Sequence, residues 1–291
     1  MSVHITPGAA EAAARTLRYA RVLVIAGSDS GGGAGIQADL KTLSALGCFG
    51  MTAITALTAQ NTLGVRAIHP VPLDMLHAQI DAVLEDIGAD AVKIGMLHSA
   101  ETVRAVGRAI DRHRMEHVVL DPVMVATSGA RLIDSEAVDV LRRELFPLAA
   151  LVTPNLDEAA LLVGRPLANE DDMHAAAQQL LAGGARAVLL KGGHLPSDTV
   201  SDLLLQAGAP PMWLRARRIR TLNTHGTGCS LSSAVAAHLA RGLPLAEAVR
   251  EASAYVRGAL QAGAAVRTGG GSGPLNHAWQ PQPMQLLALE K

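Results

Sequence analysis

The chain has 291 residues, 49% of them hydrophobic, and a formal net charge of −1 at pH 7. A balance this close to neutral leaves no electrostatic footprint for nucleic acid, and aromatics at 2% offer no stacking platform for single strands. Two cysteines are too few for a disulfide framework, no Cys/His cluster has zinc spacing, and no run of 18 apolar residues suggests a membrane span.

The length permits one large core or two smaller ones. No Pro/Gly/Ser linker divides the interior, so one domain over residues 21–268 is expected, after an N-terminal extension (1–20) and before a Gly/Pro-rich tail (269–291). Residues 1–20 lack the apolar centre of a signal peptide, so a cytoplasmic protein is expected.

In chain order, Arg21 to Gly27 reads as a buried strand, and Ile36, Leu40 and Leu43 recur at helical spacing. Phe49 to Leu57 is strand-like. Leu73 to Asp86 is helical, with Leu73, Leu76, Ile80 and Val83 on one face. Ala91 to Ile94 and Val118 to Leu120 are short strands around a helical run, Thr102 to His113. Val138 to Leu145 is helical and leads to Leu151-Val152, and Leu156 to Val163 and Met173 to Leu181 are helical. Ala187 to Leu190 is a buried strand. Val200 to Leu205 and Met212 to Arg217 flank Gly208 to Pro211 as an antiparallel pair, and helices near Ser230 to Ala240 and Leu245 to Leu260 follow. This alternation predicts an α/β fold with a mainly parallel sheet covered on both faces. Ligands of such sheets bind beyond the carboxyl ends of the strands.

The residues that close the strands therefore carry the functional reading. After the first strand comes Gly27-Ser-Asp-Ser-Gly-Gly-Gly-Ala-Gly35. It is not a dinucleotide fingerprint, since Ile36 stands at the third glycine position, and the chain has no P-loop pattern. Asp39 lies on the first helix, where spacing leaves it either solvated or facing a ligand. Gln60 follows the second strand, Met96 the third, Asp121 the fourth, Glu158 the fifth and Lys191 the sixth, and Asp29 closes the first. Asp121 fits a site or a turn cap. Glu158 fits a water-mediated Mg²⁺ ligand or an ordinary first-turn acid.

Leu222 to Ser233 reads Leu-Asn-Thr-His-Gly-Thr-Gly-Cys-Ser-Leu-Ser-Ser. Gly226 and Gly228 permit a tight turn, and a helix beginning at Gly228 or Cys229 would offer its first-turn N–H groups to an anion. At that helix end the Cys229 thiolate is expected to be stabilised. Acids, a cation and an anion loop together suit phosphoryl transfer.

These motifs have a family likeness. Gly27 to Lys41, Thr58-Ala-Gln-Asn-Thr62, Lys93-Ile-Gly-Met-Leu97, Asp121-Pro-Val-Met124, Thr153-Pro-Asn-Leu-Asp-Glu-Ala159, the Asn223-Thr-His-Gly-Thr-Gly-Cys229 loop and Gly273-Pro-Leu-Asn-His277 resemble the bacterial hydroxymethylpyrimidine/phosphomethylpyrimidine kinases of thiamin biosynthesis, within the ribokinase-like superfamily. Gly31 departs from the pattern, since relatives often have Ser there. The resemblance implies a three-layer α/β/α kinase that uses ATP and Mg²⁺ to phosphorylate 4-amino-5-hydroxymethyl-2-methylpyrimidine and then its monophosphate. It places the pyrimidine on Ala34, Asp39, Gln60, Met96 and Val123. It places the nucleotide phosphates on Lys191, Thr224, Gly226, Thr227 and Gly228, and the metal on Asp121 and Glu158. Lys191, the Gly226–Gly228 backbone and Cys229 form the catalytic set, with Cys229 a weak base or a hydrogen-bonding positioner. A homodimer is implied as well. A pyridoxal kinase of the same superfamily and a non-catalytic pyrimidine- or phosphate-binding protein are the alternatives.

Overall fold

The computed structural model describes residues 16–125, 133 and 135–288. These begin with β1 (Leu17–Tyr19) and β2 (Arg21–Asp29). In β2 the side chains divide by the two-residue period of a strand: Leu23 and Ile25 enter one apolar cluster, Val22, Val24 and Ala26 another. A strand apolar on both faces requires cover on both.

The chain continues through α1 (Gly35–Ala45), β3 (Phe49–Asn61), β4 (Gly64–Pro70), α2 (Leu73–Asp86), β5 (Ala91–Ile94), α3 (Ala100–Arg112) and β6 (Val118–Leu120). Next, α4 (Ser135–Val140) runs into a π-helical turn, Leu141–Leu145. Then come β7 (Leu151–Val152), α5 (Leu156–Val163), α6 (Glu170–Ala182), β8 (Ala187–Leu190), β9 (Thr199–Gln206), β10 (Met212–Arg217), α7 (Thr227–Ala240), α8 (Leu245–Gly263) and β11 (Leu286–Ala288).

Nine strands form one sheet in the order β10-β9-β8-β7-β6-β5-β2-β3-β4. The six central strands, β8 to β3 in that order, pair in parallel; β4, β9 and β10 pair antiparallel with their neighbours. Helices α1, α7 and α8 pack on the face of Val22, Val24 and Val119, and α2 to α6 on the face of Leu23, Ile25 and Leu120. This is the three-layer α/β/α arrangement that the alternating apolar runs implied. The connections leave β2 to opposite sides, toward β3 and toward β5, so the strand order reverses there and opens a crevice at the carboxyl ends.

Two expectations need correction, and one strand was missed. β3 runs on to Asn61 and returns as β4, so Gln60 lies inside a strand end and not after it. β4 escaped the sequence because its outer position exposes most of its side chains and leaves no apolar alternation to read. The Gly/Pro-rich segment expected as a tail docks on the domain at several points, although most of its described residues are exposed. Leu275 and His277 are buried, Trp279 Nε1 donates to Tyr255 O at 2.9 Å, and β11 pairs with β1. Gly258 makes room for that indole, since a Cβ there would lie 1.9 Å from the ring. Residues 1–15, most of the expected N-terminal extension, lie outside the described residues. Among those described, no helix is long and apolar enough to cross a membrane.

Candidate active site

The Gly-rich loop after β2 is built around Asp29. Its carboxylate accepts from Gly31 N (2.8 Å), Gly33 N (3.1 Å) and Ala34 N (2.8 Å), and faces His225 Nε2 at 3.0 Å. Burial alone would raise the Asp29 carboxyl, but His225 and the loop amides outweigh it and hold it below the usual range. Asp29 thus joins this loop to the one before α7. The two loops touch at backbone distance: Gly226 has φ +81°, and a Cβ on it would lie 1.9 Å from Gly33 O.

α7 starts at Thr227, earlier than the sequence suggested, with Gly226 as its N-cap. The first helical bond is Ser230 N to Gly226 O at 2.8 Å, so Gly228 and Cys229 precede any intrahelical acceptor. A Cβ on Gly228 would lie 3.1 Å from Lys191 Nζ and 3.5 Å from Asp121 Oδ2. The bare backbone there lets the helix N-terminus approach both groups.

Lys191, just past β8, donates to Asp121 Oδ1 at 2.8 Å, and Thr153 Oγ1 donates to the same oxygen at 3.0 Å. Despite burial, Lys191 and Lys93 hold the Asp121 carboxyl below its ordinary range. Glu158 closes a capping box on α5: Asn155 N donates to Glu158 Oε2 at 2.8 Å, and Glu158 N to Asn155 Oδ1 at 2.9 Å. Burial pushes the Glu158 carboxyl up to about 7; Lys191 opposes the rise and Asp121 adds to it. The sequence left two readings for Glu158, and the residue both caps its helix and lines the cleft. Among the described residues no group of three or more His, Cys, Asp or Glu could cage a metal. Asp121 and Glu158 are two hard oxygen donors, which suits Mg²⁺ kept mainly by water and phosphate oxygens.

Asp39 is corrected by the structure. It is 0% exposed and absent from the cleft wall; Lys93 Nζ donates to both its oxygens, at 2.9 and 2.8 Å, and Ser233 Oγ to Oδ1 at 2.7 Å. On α1 it faces the sheet, where Lys93 projects from β5 between apolar neighbours. Burial lifts the Asp39 carboxyl and by itself would push the Lys93 ammonium down, yet the paired carboxylate holds Lys93 above its usual range. These tendencies conflict, and three short hydrogen bonds to one carboxylate decide for the ion pair.

Cys229 is also corrected. Burial, reinforced by Asp39 and Asp121, pushes its thiol up to about 11 in spite of Lys93 and the Gly35 N–H. The sulfur is therefore a neutral thiol at neutral pH, not the thiolate that a helix N-terminus alone would favour.

One cleft of about 1020 Å³ brings the rest together. At one end stand Ala34, Gln60, Met96 and Val123; Gly27 admits the Met96 methyl, which would lie 2.6 Å from a Cβ there. In the middle are Asp121, Glu158, Lys191 and the Thr224–Cys229 loop. At the far end Trp213, Leu214, Ile219, Val256 and Leu260 form an apolar slot edged by Arg215, Arg217, Arg218, Arg250 and Arg257. Sequence reasoning missed that arginine-edged slot, Lys93 and His225. The signal for Lys93 was a lone lysine within the apolar run Ala91-Val-Lys-Ile94. For His225 it was its place in the loop motif. The arginines are spread over β10, the loop after it and α8, so no local pattern unites them.

The model of the family described as phosphomethylpyrimidine kinase matches residues 29–276. The hydroxymethylpyrimidine/phosphomethylpyrimidine kinase of Rhizobium meliloti is 52% identical over 256 residues, covering 88% of this chain and 96% of that protein. The thiamine biosynthesis bifunctional protein ThiED of Geobacter sulfurreducens is also 52% identical over 256 residues, but the chain spans only 52% of its length. Among solved structures, an ADP complex of Bacillus subtilis pyridoxal kinase superposes with a TM-score of 0.82 at 37% identity, covering 89% of this chain and 97% of that one. By the extent of the family match and the identity of its full-length relative, the chain belongs to the phosphomethylpyrimidine kinase family.

Proposed function

We propose that the protein transfers the terminal phosphoryl group of ATP to the hydroxymethyl oxygen of 4-amino-5-hydroxymethyl-2-methylpyrimidine, and then phosphorylates the resulting monophosphate. One observation carries this reading. A single cleft is lined by Ala34, Gln60, Met96 and Val123, by the α7 N-terminus with Lys191, and by apolar residues of β10 and α8 with five arginines among them. That sequence of surfaces fits an acceptor ring, a transferring phosphate and a nucleotide in line.

Ala34, Met96 and Val123 enclose the ring, and the Gln60 amide offers a donor and an acceptor to its polar edge. The Gly228 and Cys229 N–H groups and Lys191 stabilise charge on the phosphoryl group in flight. Asp121 and Glu158 would hold Mg²⁺, which supplies neutralisation of the phosphate oxygens. Cys229, a neutral thiol, orients the acceptor hydroxyl by hydrogen bonding. A loose transition state needs little early proton removal, so a positioned thiol suffices. Asp39 supports the floor of the site through Lys93 and touches no ligand.

The likeness to a pyridoxal kinase favours a second reading, since the phosphate-handling parts serve either ring. Steady-state assays with the hydroxymethylpyrimidine, its monophosphate and pyridoxal decide: kcat/KM should be highest for the pyrimidines. Turnover of pyridoxal alone would overturn the proposal, and ATP hydrolysis or binding without transfer would favour a non-catalytic or different role. The family reading also carries a cytoplasmic homodimer. Among the described residues β4 ends the sheet with no further strand, and its edge, with Leu57 and Leu63 exposed beside it, offers a face for a second copy; light scattering after size exclusion tests it.

A further inference from the structure

We infer that His225 and Thr58 fix which end of the Gln60 amide is donor and which is acceptor, and so make the pocket select a 4-amino over a 4-oxo pyrimidine. The inference rests on the proposed pyrimidine reading and deepens it.

Gln60 is tightly placed. Its backbone N–H accepts no freedom from the loop: it donates to Ser30 Oγ at 2.8 Å, while Ser30 Oγ donates back to Gln60 O at 2.7 Å. Its amide lies between two groups. One end, drawn as Nε2, is 3.3 Å from His225 Nε2, and the other, drawn as Oε1, is 3.2 Å from Thr58 Oγ1. The two ends of an amide are alike in shape, and the hydrogen-bond network assigns them.

The network has one consistent solution. His225 Nε2 is 3.0 Å from Asp29 Oδ2, and the Asp29 carboxylate, already accepting three backbone N–H groups, can only accept. His225 Nε2 therefore carries a proton, in the neutral or the charged ring alike. An amide N–H₂ aimed at it would set donor against donor. Thr58 has one hydroxyl proton, and Ser28 O takes it at 2.9 Å. Thr58 Oγ1 then meets Gln60 with lone pairs, so an amide oxygen there would set acceptor against acceptor. Reversing the amide removes both conflicts: Oε1 takes the longer branch of a bifurcated His225 Nε2–H bond whose shorter branch goes to Asp29 Oδ2, and Nε2 donates to Thr58 Oγ1.

Each end keeps one capacity for a ligand, a lone pair on Oε1 and an N–H on Nε2. A 4-aminopyrimidine edge, with its amino donor and adjacent ring-nitrogen acceptor, fits in one in-plane orientation. A 4-oxo ring presents a carbonyl acceptor and a ring N–H donor in the opposite order. The clamped amide cannot turn to meet it without breaking both anchors. The same clamp fixes the ring's orientation, and with it the direction of the 5-hydroxymethyl group. His225 and Thr58 are thus positioning residues acting through Gln60.

The test is the ratio of dissociation constants for the amino ring and its 4-oxo analogue, measured by calorimetry without ATP. The wild type should favour the amino ring by roughly tenfold to a hundredfold or more, the span of an unmade buried hydrogen-bond pair. His225→Phe keeps a ring against Gly33 but removes the donor, and Thr58→Val removes the other anchor away from the anion loop; each should cut the ratio at least threefold. His225→Gln retains a donor toward Asp29 and should restore it. A ratio unmoved in both His225→Phe and Thr58→Val overturns the inference while leaving the pyrimidine reading intact. A wild type that binds neither ring overturns both. Independently, ¹⁵N spectra of the His225 ring should show Nε2 protonated at neutral pH, and an unprotonated Nε2 would overturn the inference even where a variant fails to fold.

Discussion

Lys93→Met tests the buried pair beneath the cleft. Lys93 and Asp39 are both 0% exposed and joined at 2.8 Å, with a second bond at 2.9 Å. Removing one partner leaves an unpaired buried carboxylate, which costs about 3–5 kcal/mol. At roughly 2–4 °C per kcal/mol, the melting temperature should fall by about 6–20 °C. Removing both charges, in Lys93→Met/Asp39→Leu, should recover most of this loss, less about 1 kcal/mol for the Ser233 hydroxyl that then lacks its acceptor. The coupling between the two substitutions should exceed about 2 kcal/mol. The sign with pH follows from Asp39, whose carboxyl already sits above its usual range through burial and rises further without Lys93. An acid raised in the folded state favours folding below its unfolded pKa and loses that stability as pH rises through its folded value. The deficit of Lys93→Met should therefore shrink between pH 7.5 and pH 5. Urea unfolding of the wild type, Lys93→Met, Asp39→Leu and the double variant at both pH values is the assay. A single-variant loss below 1 kcal/mol, or strictly additive losses, would refute the buried ion pair.

Glu158→Gln should raise the Mg²⁺ concentration for half-maximal rate, yet raise the melting temperature in EDTA more at pH 8 than at pH 5. The wild-type carboxyl at about 7 must be ionised above that pH, at a cost that grows from about pH 4.5 upward. Equal effects at both pH values would remove the raised carboxyl. Cys229 alkylation should accelerate about tenfold per pH unit from pH 7 to 10 without a plateau, as a thiol near 11 requires; a plateau near pH 8 would contradict it. Cys229→Ala should lower kcat by roughly tenfold to ten-thousandfold with little change in pyrimidine binding, and an unchanged kcat would exclude the thiol from the reaction. Gly226→Ala forces a left-handed alanine against Gly33 O, so kcat/KM should fall at least tenfold for every substrate while the far-UV spectrum stays native.

The sequence by itself determined the layered fold. Val22 to Ala26, Val118 to Leu120 and Ala187 to Leu190 are apolar at consecutive positions, which only a strand covered on both faces tolerates, and the intervening helical periods supplied the cover. It also placed Gln60, Met96, Asp121, Glu158 and Lys191 at strand ends, because a parallel sheet brings all such ends to one edge. Direction was beyond its reach. Asp39 at helical spacing reads equally as ligand or structure, and only the packing of α1 on β2 and β3, with β5 beside β2, brought it to Lys93. The charge state of Cys229 depended on burial and on acids 108 and 190 positions away in sequence, against which the local helix-end argument had no weight. The hairpin at β4 and the packed segment around Leu275 and His277 owe their form to neighbours far along the chain, since neither carries a local period. His225 gained its role only when the loop before α7 met Asp29 and Gln60 from the opposite end of the sequence. Local patterns fix which elements form; which side chains share a carboxylate is set by the closure of contacts between them.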